Sequence, residues 1–175
     1  RRIEPWEFEV FFNPGVLRKE TCLLYEIQWG TSRKIWRNSS KNTTNHVEVN
    51  FIEKFTAERH FCPSISCSIT WFLSWSPCWE CSKAIREFLS QHPNMTLVIY
   101  TARLFQHMDQ QNRQGLRDLI NSGVTIQMMT VSSLPPCLKI SRRFQKQLTF
   151  FSLTPQNCHY QTIPPHILLS SGLIR

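Results

Sequence analysis

Apolar residues along this 175-residue chain fall into short clusters of two periods, separated by Gly, Pro and Asn-rich punctuation. The spacing predicts a short helix over Glu4–Phe12, then strands over Thr21–Trp29 and Ser32–Arg37 joined around Gly30. A polar loop from Asn38 to Asn45 precedes Val47, Phe51, Ile52 and Phe55, whose pattern predicts a helix over His46–Arg59. The apolar run ending in Ile69-Thr70-Trp71-Phe72-Leu73 predicts a third strand over Ser66–Leu73. Cys78 to Gln91 follows with helical spacing of Ala84, Ile85, Phe88 and Leu89. Leu97-Val98-Ile99-Tyr100 marks a fourth strand over Thr96–Leu104, and Asp109–Ser122 a helix that Gly123 stops. Val124–Met129 is a fifth strand. A hairpin followed by alternating helices and strands predicts an α/β fold, a mixed five-stranded sheet flanked by helices.

Two predicted helix starts carry the chemistry. His46 and Glu48 open one, while Pro77-Cys78-Trp79-Glu80-Cys81 opens the other where a strand feeds a helix. Pro77 suits a helix start because no backbone donor is needed there, and Cys78 and Cys81 at i and i+3 share a face. A helix N-terminus also favours thiolate. A catalytic zinc takes three protein ligands and keeps its fourth place for water, so His46, Cys78 and Cys81 fit a Zn2+ site with an open position. Glu48, not itself a ligand, is placed to shuttle protons, and the set is the kit for hydrolytic deamination of a nucleobase. Cys-x-x-Cys after a strand also matches a thioredoxin-like redox pair or a closed structural zinc site. Neither of those needs a His-x-Glu at a helix start about thirty residues upstream. A closed site would draw on Cys62 or Cys67 for its fourth ligand, yet Cys67 begins an apolar strand where a buried free thiol is the ordinary expectation.

Composition narrows the class. At 41% hydrophobic and 12% aromatic, the chain has a core for one domain. Seven cysteines at irregular spacing argue for a reducing compartment rather than a disulfide framework. The sequons at Asn38, Asn42 and Asn94 are then chance matches. No apolar run is long enough to span a membrane, and the sequence opens on Arg1, so the natural N-terminus is expected upstream. A net charge of +8 points to a polyanion. Arg18, Lys19, Arg33, Lys34, Arg37 and Lys41 concentrate in the first hairpin with Trp29 and Trp36 interleaved, a pattern suited to single strands, although the tryptophans also suit a core-facing hairpin.

From Ser132 to the end there is no acid, while Lys139, Arg142, Arg143 and Lys146 cluster. Leu148–Leu153, a turn at Thr154–Asn157 and Cys158–Ile163 predict an apolar β-hairpin that needs a surface to bury against. The chain thus divides into 1–131, carrying the metal kit, and a basic, hydrophobic C-terminal extension, 132–175. The extension is expected either to pair two subunits through Phe150, Phe151 and Leu153 or to pack on its own domain.

With Ser-Trp-Ser-Pro-Cys at Ser74–Cys78 and Leu-Tyr-Glu at Leu24–Glu26, the stretch Glu4–Met129 resembles the AID/APOBEC polynucleotide cytidine deaminases. Leu134–Ile174 is similar to the hydrophobic extension of one member. The resemblance implies zinc on His46, Cys78 and Cys81, with Glu48 as proton shuttle in conversion of cytosine to uracil within single-stranded RNA, and single-stranded DNA. It implies Trp75 against the flipped base and Arg18, Lys19 and Thr21 over the nucleotide backbone and sugar. Asn42, or its neighbours Asn38 and Asn45, would contact the target sugar. It further implies self-association through the tail, an auxiliary RNA-binding protein as partner, no membrane, and shuttling between nucleus and cytoplasm. Family chains follow the fifth strand with an aromatic loop that clamps the target base and then two helices. Here Met128-Met129-Thr130-Val131 runs directly into Ser132-Ser133-Leu134-Pro135-Pro136. That departure keeps open a catalytically silent nucleic-acid-binding or assembly module. A free-nucleoside or adenosine deaminase shares the metal kit but has no use for a basic approach surface.

Overall fold

Alternation along the three central strands sends apolar side chains to both faces of one sheet, so both faces must be covered. The computed structural model describes residues 3–13, 15–16, 18–57, 65–135, 138 and 140–153, the side chains of 150–153 excepted. Strands β1 (Cys22–Trp29), β2 (Ile35–Lys41), β3 (Cys67–Leu73), β4 (Met95–Thr101) and β5 (Thr125–Met128) form a sheet of order β2-β1-β3-β4-β5. β1 runs antiparallel to β2 and β3, whereas β3, β4 and β5 are mutually parallel. The mixed sheet matches the expectation from sequence.

Leu23 and Tyr25 of β1, Ile69 and Trp71 of β3, and Leu97 and Ile99 of β4 point to one face. There they meet Val47, Phe51 and Phe55 of α2 (Val47–Ala57), Ile85 and Phe88 of α3 (Trp79–Ser90), and Leu116 and Leu119 of α4 (Gln110–Asn121). The alternate residues Cys22, Leu24 and Phe72 join a second cluster with Phe8, Phe11 and Phe12 of α1 (Pro5–Phe12) and Phe144 and Leu148 of α5 (Arg142–Leu153). Helices therefore lie on both faces, a three-layer arrangement.

Three sequence expectations shift. β2 ends at Lys41 rather than Arg37, because pairing with β1 continues to Cys22↔Lys41. The polar run Asn38–Lys41 is tolerated there since β2 is a sheet edge. Pro77 lies before the helix rather than in its first turn: extended Cys78 is the N-cap and Trp79 the first helical residue. The third shift is in the tail, where Leu148–Leu153, expected as the first strand of a hairpin, is the last half of α5. Ser141 starts that helix, its carbonyl accepting from Gln145 N–H (3.0 Å) and its hydroxyl from Phe144 N–H (3.2 Å). Phe144 and Leu148, at i and i+4, then bury together against the sheet. The second half of the expected hairpin, Cys158–Ile163, lies outside the described residues. No described helix is long and apolar enough to cross a membrane.

Candidate metal centre

α2 and α3 both begin at the end of the sheet where β3 finishes, and their first turns face each other. His46 sits at the cap of α2, its carbonyl accepting the first helical bond from Asn50 N–H (3.0 Å). Glu48, Phe51 and Phe55 lie at i, i+3 and i+7, so the helix that buries two phenylalanines also buries the carboxylate. On α3, Cys78 caps and Cys81 falls inside the first turn, with Trp79 N–H held by the Asn112 side chain of α4 (2.9 Å).

His46 Nδ1 lies 3.2 Å from Cys81 Sγ and 3.6 Å from Cys78 Sγ, and the three ligand atoms all lie within 4.8 Å of one another. Tetrahedral zinc, with Zn–S of ~2.3 Å and Zn–N of ~2.0 Å, places neighbouring N and S ligands about 3.6 Å apart. The donor set and its spacing fit zinc. Cys67 offers no fourth ligand: it begins β3 and the cysteine pair follows its end, so a strand of roughly 20 Å separates them. Cys62 lies outside the described residues. The open, three-ligand reading of the motif therefore fits the described geometry better than a closed site.

Cys81 Sγ lies 3.5 Å from Glu48 Oε2. Burial lifts the Glu48 carboxyl from 4.5 to about 7, near the range in which a group can take and return protons at neutral pH. Of the two thiols, Cys78 is drawn down to about 6 by the hydrogen bond from Cys81, and Cys81 is pushed upward because its proton serves Cys78. Such a shared proton is what a metal displaces on binding.

The other predicted site residues gather at the same sheet end. Cys22 N–H donates to Ser74 Oγ (2.9 Å) and Ser74 N–H to Cys22 carbonyl (3.0 Å), which sets Thr21 beside the Ser74–Trp75 corner. Asn42 N–H donates to the Thr21 carbonyl (3.2 Å), and its side chain is exposed. Asn38 is instead within β2, its Oδ1 accepting from Ser39 N–H, and the Asn45 amide donates to Glu53. Arg18 and Lys19 are exposed in the loop before β1. Trp75 is half-buried, and its indole N–H donates to the Arg18 carbonyl (2.8 Å). Of the hairpin tryptophans, Trp29 stacks on Phe55 toward the core while Trp36 is 65% exposed.

Two neighbours of Trp75 have no signal in the motif. Arg103 lies over its ring (4.6 Å) and sends its buried guanidinium to the carbonyls of Ser74 (3.1 Å), Phe11 (2.7 Å), Asn13 (2.7 Å) and Val16. Burial draws this group down to about 10, which leaves it charged at neutral pH. Phe105 meets the Trp75 ring edge-on at 6.4 Å, and its N–H donates to Ser76 Oγ (2.9 Å). An aromatic partner for Trp75 thus comes from the loop after β4, not from one after β5. The parallel register Leu73↔Thr101 brings these two strand exits side by side.

Comparison with known proteins agrees with this architecture. Residues 11–147 match the APOBEC4-like family of AID/APOBEC deaminases. The chain is 66% identical to the human "C->U-editing enzyme APOBEC-1" over 214 positions, covering 99% of this chain and 91% of that protein. It is 61% identical to the rabbit (Oryctolagus cuniculus) protein of the same name over 215 positions, covering 100% and 91%. A more distant relative, the rat "DNA dC->dU-editing enzyme APOBEC3", is 32% identical over 128 residues, covering 70% of this chain and 30% of that protein. The matched spans of the first two exceed the 175 residues of this chain, so those relatives carry residues with no counterpart here. On the fold, the His-Cys-Cys cluster and these matches, the chain belongs to the AID/APOBEC deaminase family.

Proposed function

We propose that this chain hydrolyses the exocyclic amine of cytosine in single-stranded RNA, and in single-stranded DNA, yielding uracil and ammonia. The observation that carries the reading is one buried carboxyl, Glu48, beside a His46–Cys78–Cys81 cluster spaced for zinc. Zinc held by His46, Cys78 and Cys81 would supply a water acidified toward neutral pH. Glu48 would hold the proton given up by the attacking water and deliver it to N3 of the ring, then take the remaining proton from the new C4 hydroxyl and deliver it to the amine, which leaves as ammonia. Trp75 supplies an apolar wall for a base taken out of its stack, with Thr21 and Asn42 at the sugar and Arg18 and Lys19 at the phosphates. Single strands are the favoured substrate because a base in a duplex does not reach the metal.

A uracil-release assay on an AU-rich single strand with one cytosine tests this, run beside zinc analysis of wild type and Glu48→Gln. Wild type releases uracil, and the variant keeps zinc while turnover falls by about 10²-fold or more. Turnover surviving in Glu48→Gln removes the carboxyl from the mechanism. Free cytidine turned over as well as the oligonucleotide at equal concentration would favour a nucleoside deaminase.

A second reading, a silent nucleic-acid-binding module, draws on the residues that the longer relatives carry and this chain lacks. Zinc-loaded wild type that binds RNA without releasing uracil would favour it. Self-association through Phe150, Phe151 and Leu153 and an auxiliary RNA-binding partner also remain proposals. Those three residues are within α5 and their side chains lie outside the described set. Sedimentation of Phe150→Ser/Phe151→Ser against wild type at matched concentration tests the pairing.

A further inference from the structure

α5 does not lie flush on α1. Between them runs a groove of about 370 Å³ whose lining includes Trp6, Val16, Arg18 and Arg143. We propose that this groove is a second contact for the single strand. It would carry the sugar–phosphate backbone from the candidate pocket past Arg18 to Arg143, with a base stacked on Trp6. The inference rests on the polynucleotide reading above and extends it to a surface built by the C-terminal helix.

Four observations support this occupant. Trp6 is 65% exposed, a large flat ring left in water beside two cations. Arg18 and Arg143 are both exposed, and among the described residues neither makes an ion pair. Glu9, the acid among the lining residues, faces α5 and not the opening: its carboxylate accepts from Ser141 N–H (2.5 Å) and Ser141 Oγ (3.0 Å). That arrangement uses the acid to hold the helix start, where negative charge is favoured, and leaves the cations to a ligand. Finally, Arg18 links the groove to the candidate pocket, since this lining residue carries the carbonyl that receives the Trp75 indole N–H. Two exposed cations without an acidic partner, Arg18 over the Phe11 ring (5.4 Å) and Arg143, lining one groove with an exposed aromatic platform, match the chemistry of a single-stranded polynucleotide.

Zinc-loaded full-length chain is titrated into fluorescently labelled RNA single strands of about 5 and about 15 nucleotides, at several salt concentrations. Trp6→Ala/Arg143→Glu is compared with wild type and with Lys83→Glu, an exposed cation on the opposite face of the sheet. Both groove positions are exposed, so an unchanged Tm is expected for the double variant. The expected result is about fivefold or greater loss of affinity for the long strand, with the short strand unchanged. The salt slope for the long strand falls by about 0.7 when the arginine contact goes. Lys83→Glu leaves both strands unaffected. Equal weakening by Trp6→Ala/Arg143→Glu and Lys83→Glu, or equal weakening of both lengths, overturns the groove while leaving the proposed reaction standing. Wild type that binds neither strand overturns both.

Discussion

Arg103 offers a demanding test of how the candidate pocket is held. Its guanidinium serves four carbonyls from three segments: the end of α1 (Phe11), the loop that reaches Arg18 (Asn13, Val16), and the corner after β3 (Ser74). Replacing it with Met keeps the stem and removes every donor. Asn13 and Val16 are open enough for water to replace the lost partner, but Phe11 and Ser74 are buried and their carbonyls stay unpaired. Each buried carbonyl left unmade costs about 1–3 kcal/mol. The guanidinium itself is desolvated, as its lowered pKa of about 10 reflects, and losing that penalty trims the cost. We expect Arg103→Met to lose about 2–4 kcal/mol, and Arg103→Lys, whose single ammonium reaches fewer carbonyls, roughly half of that. Urea unfolding of the zinc-loaded chain measures the loss as a shift in midpoint at constant m. Because Arg103 also stacks on Trp75, KM for a single strand should rise in Arg103→Lys even where the fold is intact. Unfolding free energies of Arg103→Met within about 0.5 kcal/mol of wild type would refute the reasoning, since that is the range of an unremarkable surface change.

Gly115→Ala should destabilise by about 1–3 kcal/mol in chemical denaturation, because a Cβ there meets Ser82 Cβ and Oγ at 3.0 Å and the Trp79 backbone at 3.3 Å. Ser82→Gly in the same chain should recover part of the loss. Phe144→Ala, which empties a site 1% exposed and edge-on to Phe8 at 6.0 Å, should cost about 3–5 kcal/mol by thermal melting. A loss under 1 kcal/mol would mean that α5 is not docked in solution. Burial raises Cys22 from 9.0 to about 12. A thiol raised on folding contributes stability that is full below pH 9 and lost as pH climbs toward 12. The stability of wild type relative to Cys22→Ala should therefore fall as pH rises above 9, and a flat difference between the two would contradict the burial argument.

Local pattern carried the parts of this molecule that depend on local spacing. His46, Glu48, Cys78 and Cys81 were legible because a helix start aims its first turn, and Glu48 shares the stripe of Phe51 and Phe55 that had to be buried. Arg103 and Phe105 were not legible, since their contact with Trp75 arises from the parallel register of β3 with β4, which sets two distant strand exits together. The edge strand β2 was cut short for a related reason: its polar residues meet no core, so pairing alone determines its length.

The tail shows where propensity and tertiary demand pull apart. Thr149, Phe150 and Phe151 are strand formers, and taken by themselves they predict the hairpin. The second sheet face, however, already carries α1, and what remains to be covered is an apolar surface that includes Leu24, Phe72 and Met129. A hairpin laid on that surface would need partners for its outer backbone groups, whereas a helix satisfies its own and presents one stripe. Phe144 and Leu148 supply that stripe, and Ser141, held by Glu9 of α1, supplies the cap. Deleting the chain from Ser132 onward would uncover Phe8, Phe12 and Phe72, so it should yield a less stable, aggregating protein and not a more soluble one.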